Sequence, residues 1–155
     1  DGHISSRIGI GADAVLYDKD TDIFGLIADE LDTHALSAVF VDEAQFLSKE
    51  QVWQLARAAD HLNLPVLAYG LRTDFQGELF EGSAALLAIA DSLREIRTIC
   101  ECGRKATMVI RLGPDGEALT EGEQVSIAKA TYLSLCRRHW EERMGRFPPK
   151  LPSGG

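Results

Sequence analysis

The sequence has few cysteines, few aromatic residues and no long apolar run. It holds three cysteines among 155 residues, and an odd number argues against a closed disulfide framework and favours free thiols or a metal site in a reducing compartment. No apolar run reaches the roughly 18 residues of a membrane span, and no secretion leader is recognisable. These absences predict a protein without a membrane segment, with the cytoplasm as its default location.

Positive charge is also scarce. Sixteen basic residues face 24 acidic ones, which gives a formal net charge of −8 at pH 7. This balance argues against a broad binding surface for nucleic acid or for an anionic membrane, although a few basic groups suffice to contact a single nucleotide. The length fits about one domain, which would bury roughly two thirds of its unfolded surface.

The most informative stretch runs from Ala38 to Phe46. Its apolar start, Ala38–Val41, predicts a strand buried on both faces, as in a parallel sheet beneath helices. Asp42 and Glu43 follow directly, at the sheet edge where ligands bind. P-loop enzymes place a magnesium-holding Asp and a second acid in this way. Four apolar residues followed by Asp-Glu form a loose pattern, however, so the alternative is a strand that ends in two solvated acidic residues without a function.

Helices and a second strand surround this stretch. Apolar spacing predicts a helix from Asp22, capped by Asp20 or Thr21, and a second helix from a capping box of Ser48 with Gln51 up to Pro65. Residues 66–70 predict a parallel strand. Further along, Ser83 is predicted to cap a helix and residues 96–99 to form a third strand. The glycine-rich residues 1–14 predict a surface loop.

The last third predicts a metal site. Cys100 and Cys102 share one face of an extended segment, and Cys136 and His139 share one face of a turn or helix. Between the two pairs, a strand-like segment at 106–112 and the turn at 113–116 predict a hairpin. Three thiolates and an imidazole suit tetrahedral zinc in a closed, structural site of the zinc-ribbon kind. Three separate buried thiols and a solvated histidine are the alternative.

Five motifs together resemble bacterial thymidine kinases of the zinc-containing, P-loop type. They are SSRIG (5–9), VDEAQFL (41–47), PVLAYGLRTDFQGELF (65–80), CECGRKA (100–106) and CRRH (136–139). The resemblance covers about residues 1–142, and the shared order of the motifs argues against a chance match. It implies an α/β fold: a P-loop-type parallel sheet with flanking helices, incomplete at the N-terminus, plus a small zinc-ribbon β lobe.

The resemblance also implies a reaction and its participants. Members transfer the γ-phosphoryl group of ATP to the 5′-hydroxyl of thymidine with magnesium. They serve DNA synthesis, are usually homotetramers and are inhibited by thymidine triphosphate. By this resemblance, residues 1–95 are expected to belong to the kinase domain and residues 96–142 to a zinc lobe with a lasso-like segment. Residues 143–155, rich in proline and glycine, are expected to form a disordered tail.

The family motifs assign roles to particular residues of this chain. Glu43 matches the acid that accepts the proton of the sugar hydroxyl, a role that phosphoryl transfer requires on chemical grounds as well. The nucleotide and magnesium site is implied at Asp42, Glu43, Ala44 and Gln45. The thymine pocket is implied at Phe46, Leu71, Phe75, Phe80 and Tyr132, and the zinc ligands at Cys100, Cys102, Cys136 and His139.

Two features depart from the family pattern. The printed chain contains no G-x-x-x-x-G-K-[ST] phosphate loop, which the family carries near its start, so we expect upstream residues to be missing and the chain alone to be a poor catalyst. The lasso, Val125–Tyr132, lacks the family's paired glycines. A P-loop ATPase that activates water, or a non-catalytic zinc-ribbon interaction module, are the alternative functions.

Overall fold

The computed structural model describes residues 2–5, 11–126 and 130–148. It has a mixed α/β fold in which the described strands form four two-stranded sheets. The chain forms two compact units, Asp1–Gly70 and Leu71–Gly155, and each is described by itself below. Most of the SSRIG motif, the centre of the lasso and the last seven residues lie outside the described residues, so the predictions for them stay predictions.

The first unit contains one parallel and one antiparallel strand pair together with two helices. Its elements are β1 (His3–Ser5), β2 (Gly11–Asp13), α1 (Ile23–Thr33), β3 (Val39–Val41), a short 3₁₀ helix (Ala44–Phe46), α2 (Lys49–His61) and β4 (Val66–Ala68). The prediction that residues 1–14 form a loop is wrong for two segments, since β1 pairs with β2 in antiparallel register.

The predicted parallel pair is confirmed, but the prediction that its first strand is buried on both faces is wrong, since Phe40 is 68% exposed. Strand β3 pairs with β4 in parallel, with Val41 opposite Ala68, and α2 makes the connection between them, as parallel strands require. Helices α1 and α2 pack together. The core of this unit consists of the following buried apolar side chains: Ile23, Ile27, Val41, Ala44, Leu47, Val52, Leu55, Ala58 and Leu64.

The helix caps match the sequence in one case and differ in the other. The capping box at the start of α2 is present, with the Gln51 backbone N–H donating to Ser48 Oγ at 3.1 Å and the Gln51 side chain accepting from Ser48 N–H at 3.0 Å. Helix α1, however, is capped by Asp22 rather than by Asp20 or Thr21. The Asp22 carboxylate accepts from the backbone N–H of Gly25 at 3.0 Å, the bond that defines an N-cap.

The second unit is built around an antiparallel hairpin. Its elements are α3 (Glu81–Ile89), β5 (Thr98–Ile99), β6 (Lys105–Ala106), β7 (Met108–Leu112), β8 (Thr131–Leu135) and α4 (Arg137–Arg143). Strand β7 pairs with β8 in antiparallel register. This pairing confirms the hairpin predicted between the Cys100/Cys102 pair and the Cys136/His139 pair. The cluster of buried side chains beneath it comprises Cys100, Ile110, Leu135, Cys136 and Trp140.

Two predictions for this unit are corrected. Helix α3 begins at Glu81 with Phe80 at the N-cap position, not at Ser83, because the Ser83 hydroxyl donates to the carbonyl of Leu71 instead of capping a helix. Of the strand predicted at residues 96–99, only Thr98–Ile99 is a strand, β5. It pairs with β6 in antiparallel register. It therefore belongs to the turn that carries Cys100, and it is not paired with β3 or β4.

None of the described helices has the length and apolar character needed to cross a bilayer. The predicted division at residues 95 and 96 stays a prediction. So does the disordered tail predicted at residues 143–155, whose first residue, Arg143, is the last residue of α4.

Candidate functional site

An acidic turn follows directly on strand β3. Glu43 adopts a left-handed backbone conformation, with φ 51° and ψ 39°, which non-glycine residues seldom occupy and which often marks a functional site. The Asp42 carboxylate helps to hold this turn, because its Oδ1 accepts from the Glu43 backbone N–H at 2.9 Å. Both acidic side chains are exposed. The turn therefore presents two adjacent carboxylates at the end of a parallel strand.

A buried glutamine orients one of these carboxylates. The side-chain amide of Gln45, itself only 3% exposed, donates to Oε2 of Glu43. Gly70 lies against the same glutamine, and a Cβ at position 70 would come within 2.6 Å of Gln45 Oε1 and 2.9 Å of the Gln45 backbone N. Only glycine leaves this space, so the residue after Tyr69 is part of the support for the turn.

Tyr17 fixes the backbone of the turn from another side. Its hydroxyl lies 2.9 Å from the carbonyl oxygen of Glu43 and 3.3 Å from that of Asp42, and it donates to them. Burial, together with the nearby charges of Glu43 and Asp42, raises the pKa of Tyr17 above its ordinary value. The hydroxyl thus remains protonated, and a donor, throughout the neutral range.

The residues predicted for a thymine pocket differ in exposure. Phe75 and Phe80 are buried, whereas Phe46, Leu71 and Tyr132 keep substantial exposed surface. Phe46 ends the 3₁₀ helix of the first unit, and the other four belong to the second unit. Within the second unit, Phe75 and Tyr132 both lie close to one guanidinium group, which is described next.

Arg111 connects these two aromatic rings. Its guanidinium carbon lies 4.0 Å from the centroid of the Phe75 ring and 5.5 Å from that of the Tyr132 ring, within the range of cation–π interactions. Its Nε also donates to the Tyr132 hydroxyl at 3.2 Å. Sequence analysis missed this residue, although an arginine within the otherwise apolar segment 108–112 is itself a signal.

The loop that carries Phe75 is held by a buried carboxylate. Oδ1 of Asp74 accepts from the backbone N–H groups of Gln76 at 2.9 Å and Glu78 at 3.0 Å, while Oδ2 accepts from the side-chain amide of Gln124 at 3.0 Å. Asp74 is 4% exposed. It therefore fixes the shape of the loop from within, a role that sequence analysis did not assign.

The predicted metal ligands converge. The ligand atoms of Cys100, Cys102, Cys136 and His139 all lie within 4.8 Å of one another, an arrangement that could hold a metal ion. A tetrahedral zinc ion with bonds of about 2.3 Å to sulfur and about 2.0 Å to nitrogen would separate its ligands by roughly 3.5 to 3.8 Å. The two sulfur–Nδ1 distances are 3.3 Å and 3.5 Å, and Cys102 Sγ lies 3.8 Å from Cys136 Sγ.

The local backbone favours the thiolate form of Cys100. Backbone N–H groups of Cys102 and Cys136, and then the His139 ring, lower the pKa of the Cys100 thiol to about 6. The thiolate is the form of cysteine that binds metals. His139 reaches the cluster through Nδ1, and its Nε2 lies 3.9 Å from a carboxylate oxygen of Glu142, a common type of outer partner for a ligating histidine.

Comparison with known proteins decides the family. The sequence model that matches the chain describes thymidine kinase and covers residues 1–140. The chain belongs to the thymidine kinase family. Curated thymidine kinases from Mesorhizobium japonicum and Ruegeria pomeroyi are 64% and 63% identical to it over 148 and 145 residues. These alignments cover 96% and 93% of this chain and 73% of each relative.

More distant thymidine kinases match almost as fully. The protein of that name from Aliivibrio fischeri is 53% identical over 146 residues, which cover 94% of this chain and 76% of the relative. The predicted family is thus confirmed. Neither a P-loop ATPase that activates water nor a zinc-ribbon interaction module is favoured by these similarities.

Proposed function

We propose that this member of the thymidine kinase family transfers the γ-phosphoryl group of ATP to the 5′-hydroxyl of thymidine. The observation that carries the proposal is the identity of 53–64% to curated thymidine kinases over more than nine tenths of the chain. The acidic turn after β3 supports it, because it offers a carboxylate of the kind that the reaction needs.

Glu43 is the proposed general base. Phosphoryl transfer forms a bond between the 5′-oxygen of thymidine and the γ-phosphorus, and breaks the bond from that phosphorus to the β,γ-bridging oxygen, which leaves with ADP. The hydroxyl proton passes to the Glu43 carboxylate. The bond from Gln45 orients this carboxylate, and the hydroxyl of Tyr17 holds the backbone of Glu43, which has a left-handed conformation.

Asp42 and its neighbours Ala44 and Gln45 complete the proposed ATP site. An exposed carboxylate is the ligand type that magnesium prefers, and Asp42 provides one at the carboxyl end of a parallel strand. Magnesium bound with the triphosphate would neutralise phosphate charge. Asp42 would hold it, while its other contact, to the Glu43 N–H, keeps the turn in shape.

The aromatic residues are proposed to bind the base. Phe46, Leu71, Phe75, Phe80 and Tyr132 would supply the apolar surface that a thymine ring needs, since ligand pockets are mostly apolar with a few polar contacts. The partial exposure of Leu71 and Tyr132 leaves surface available for a ligand. Buried Phe75 and Phe80 would shape the pocket from below.

Zinc is the metal proposed for the Cys100, Cys102, Cys136 and His139 set, in a structural role. The donor atoms and their separations fit it, and four protein ligands fill a tetrahedral shell. The remaining family expectations form part of the same proposal: a P-loop-type parallel sheet with a zinc-ribbon lobe, a homotetramer, inhibition by thymidine triphosphate and a cytoplasmic location. They rest on the family resemblance.

The test uses the protein expressed from its complete coding sequence. Wild type incubated with ATP, magnesium and thymidine should yield thymidine monophosphate and ADP in equal amounts. Glu43→Gln should lower kcat by about 10² to 10⁴, the range of general-base contributions, while thymidine still binds in calorimetry. Glu50→Gln, an exposed glutamate on α2 paired with Arg57, is the matched control. ATP consumption that ignores thymidine would contradict the proposal.

A further inference from the structure

The hairpin contains a buried arginine whose side chain makes several contacts in addition to the backbone pairing of its strand. Arg111 lies in β7 and is 5% exposed. Burying a charged group is costly unless it is well hydrogen-bonded, so such a residue is expected to have a specific purpose. Within residues 2–5, 11–126 and 130–148, no carboxylate forms an ion pair with it; its partners are carbonyls, a hydroxyl and aromatic rings.

The guanidinium fixes the segment that leads into the lasso. Nη1 donates to the carbonyl of Glu123 at 2.7 Å, and Nη2 donates to the carbonyl of Gln124 at 3.0 Å. Two consecutive carbonyls on one rigid fork define both the position and the orientation of that backbone. Lysine, with a single rotating ammonium group, cannot hold both carbonyls in this geometry.

The same group joins the two sides of the proposed base pocket. Arg111 lies over the ring of Phe75, and its Nε bonds the hydroxyl of Tyr132. The position of Tyr132, at the end of the lasso, is thereby tied to the loop that carries Phe75. A change at Arg111 would release both the lasso entrance and one of the two rings.

Gln124 ties the same segment to the Phe75 loop from a second direction. Its side-chain amide donates to Asp74 Oδ2 at 3.0 Å, and Asp74 Oδ1 holds the turn at residues 76–78. The side chain of Gln76 in turn donates to the carbonyl of Thr120 at 3.2 Å. The Phe75 loop is therefore bonded to this segment at both Thr120 and Gln124, and Arg111 holds the carbonyls of residues 123 and 124.

We propose that Arg111 is a positioning residue for thymidine, which holds residues 123–124 and the Tyr132 ring against the Phe75 loop. The inference rests on the proposed function, since it concerns the same nucleoside site. Arg111 acts through these neighbours and does not contact the reacting atoms. Its loss should weaken thymidine binding while the chemical step and the use of ATP stay close to normal.

The first experiment compares Arg111→Lys with wild type in the complete protein. We expect the KM for thymidine to rise about tenfold or more, with kcat and the KM for ATP within about twofold, the pattern of lost binding that ground state and transition state share. Hydrogen exchange in a peptide spanning residues 120–126 should become faster. Arg57→Lys, on the surface of α2 in an ion pair with Glu50, is the control and should behave as wild type.

The second experiment uses Gln124→Met, which keeps the side-chain length and removes the amide. It should raise the thymidine KM as well, and the double variant should show a smaller effect than the product of the single effects, because both residues hold one segment. Gln124→Met also carries the test if Arg111→Lys does not fold.

The outcomes distinguish the proposed role of Arg111 from the proposed thymidine kinase activity. Unchanged thymidine KM in both single variants, with wild type phosphorylating thymidine, would overturn the role of Arg111 and leave the proposed function intact. A rise of similar size in the thymidine KM and the ATP KM, together with a fall in kcat, would also overturn it, because that pattern indicates general damage. A wild type that does not phosphorylate thymidine would overturn both.

Discussion

The buried side-chain amide of Gln45 donates a hydrogen bond to the exposed carboxylate of Glu43. Glu43 is two residues earlier in the chain, and the contact is possible because Glu43 takes the left-handed conformation before the 3₁₀ helix begins. A carboxylate on a flexible side chain is thereby limited to a narrow range of orientations. For a general base, orientation matters as much as basicity.

The first prediction concerns this bond. Gln45→Leu should lower kcat for thymidine phosphorylation by about tenfold or more, because the carboxylate of Glu43 loses its fixed orientation. Thymidine affinity, measured by calorimetry, should change by less than about twofold. The amide of Gln45 contacts the carboxylate of Glu43, the proposed general base, and is not among the residues proposed to bind thymine. A kcat equal to that of wild type would show that Gln45 serves only the packing of the turn.

The second prediction concerns Tyr17 and alkaline pH. Tyr17→Phe removes the donor to the carbonyls of Asp42 and Glu43, and it should lower the free energy of unfolding at pH 7 by about 1 kcal/mol or somewhat less, because the ring is only partly buried. Since the pKa of Tyr17 is raised in the folded state, its contribution is complete below about pH 10 and is lost as the pH rises through the folded pKa.

Urea unfolding of both proteins between pH 7 and pH 11 measures this difference. The gap between wild type and variant should be constant up to about pH 9 and should narrow above about pH 10, the ordinary pKa of tyrosine. Tyr69→Phe is the control, because within the part of the chain that the structure describes its hydroxyl makes no hydrogen bond. A gap that widens with pH would contradict the assigned role.

The third prediction concerns the metal. The purified protein should carry about one equivalent of zinc, and removal by a strong chelator should lower its thermal stability, because a structural site contributes its binding free energy to folding. His139→Ala should reduce the zinc content well below one equivalent, as measured by elemental analysis. His61→Ala, at the exposed end of α2, should retain it. Full zinc content in His139→Ala would exclude His139 as a ligand.

Local patterns in the sequence predicted much of this structure. The capping box of Ser48 with Gln51 and the apolar face that follows define α2, because every interaction involved lies within one or two turns. The Cys and His cluster that could hold a metal ion was predicted for a similar reason: each pair is close in sequence, and a hairpin between the pairs is a common connection. The cap of α1 was predicted at the wrong residue, since four consecutive residues at positions 19–22 include three that can cap.

The support around the candidate site depends on distant partners and was not predicted. Arg111 bonds backbone carbonyls at residues 123 and 124, and a carbonyl has no signature in the sequence. Tyr17 reaches Asp42 and Glu43 across 25 and 26 residues. Such contacts follow from the packed chain and not from spacing. The residues of the family motifs could thus be identified, whereas the residues that hold them in place could not.

The last prediction concerns Trp140, whose indole N–H donates a hydrogen bond to the backbone of the Phe75 loop. Its indole N–H lies 3.2 Å from the carbonyl oxygen of Phe75 and 3.1 Å from that of Val109, and the side chain is 3% exposed. Trp140→Phe preserves most of the ring but leaves two buried carbonyls without this donor. The variant should lose about 1 to 3 kcal/mol of unfolding free energy, the usual cost of an unsatisfied buried group.

Fluorescence and kinetics together test this role. Trp53, the other tryptophan, is 41% exposed on α2, so loss of the Trp140 signal should shift the mean emission to longer wavelength. Trp53→Phe, the matched control, should shift it the opposite way with little change in stability, because an exposed ring makes few contacts to lose. If Trp140→Phe were as stable as wild type, the bonds to Phe75 and Val109 would contribute nothing to the loop. Because Phe75 moves with its carbonyl, the variant should also raise the thymidine KM more than the ATP KM.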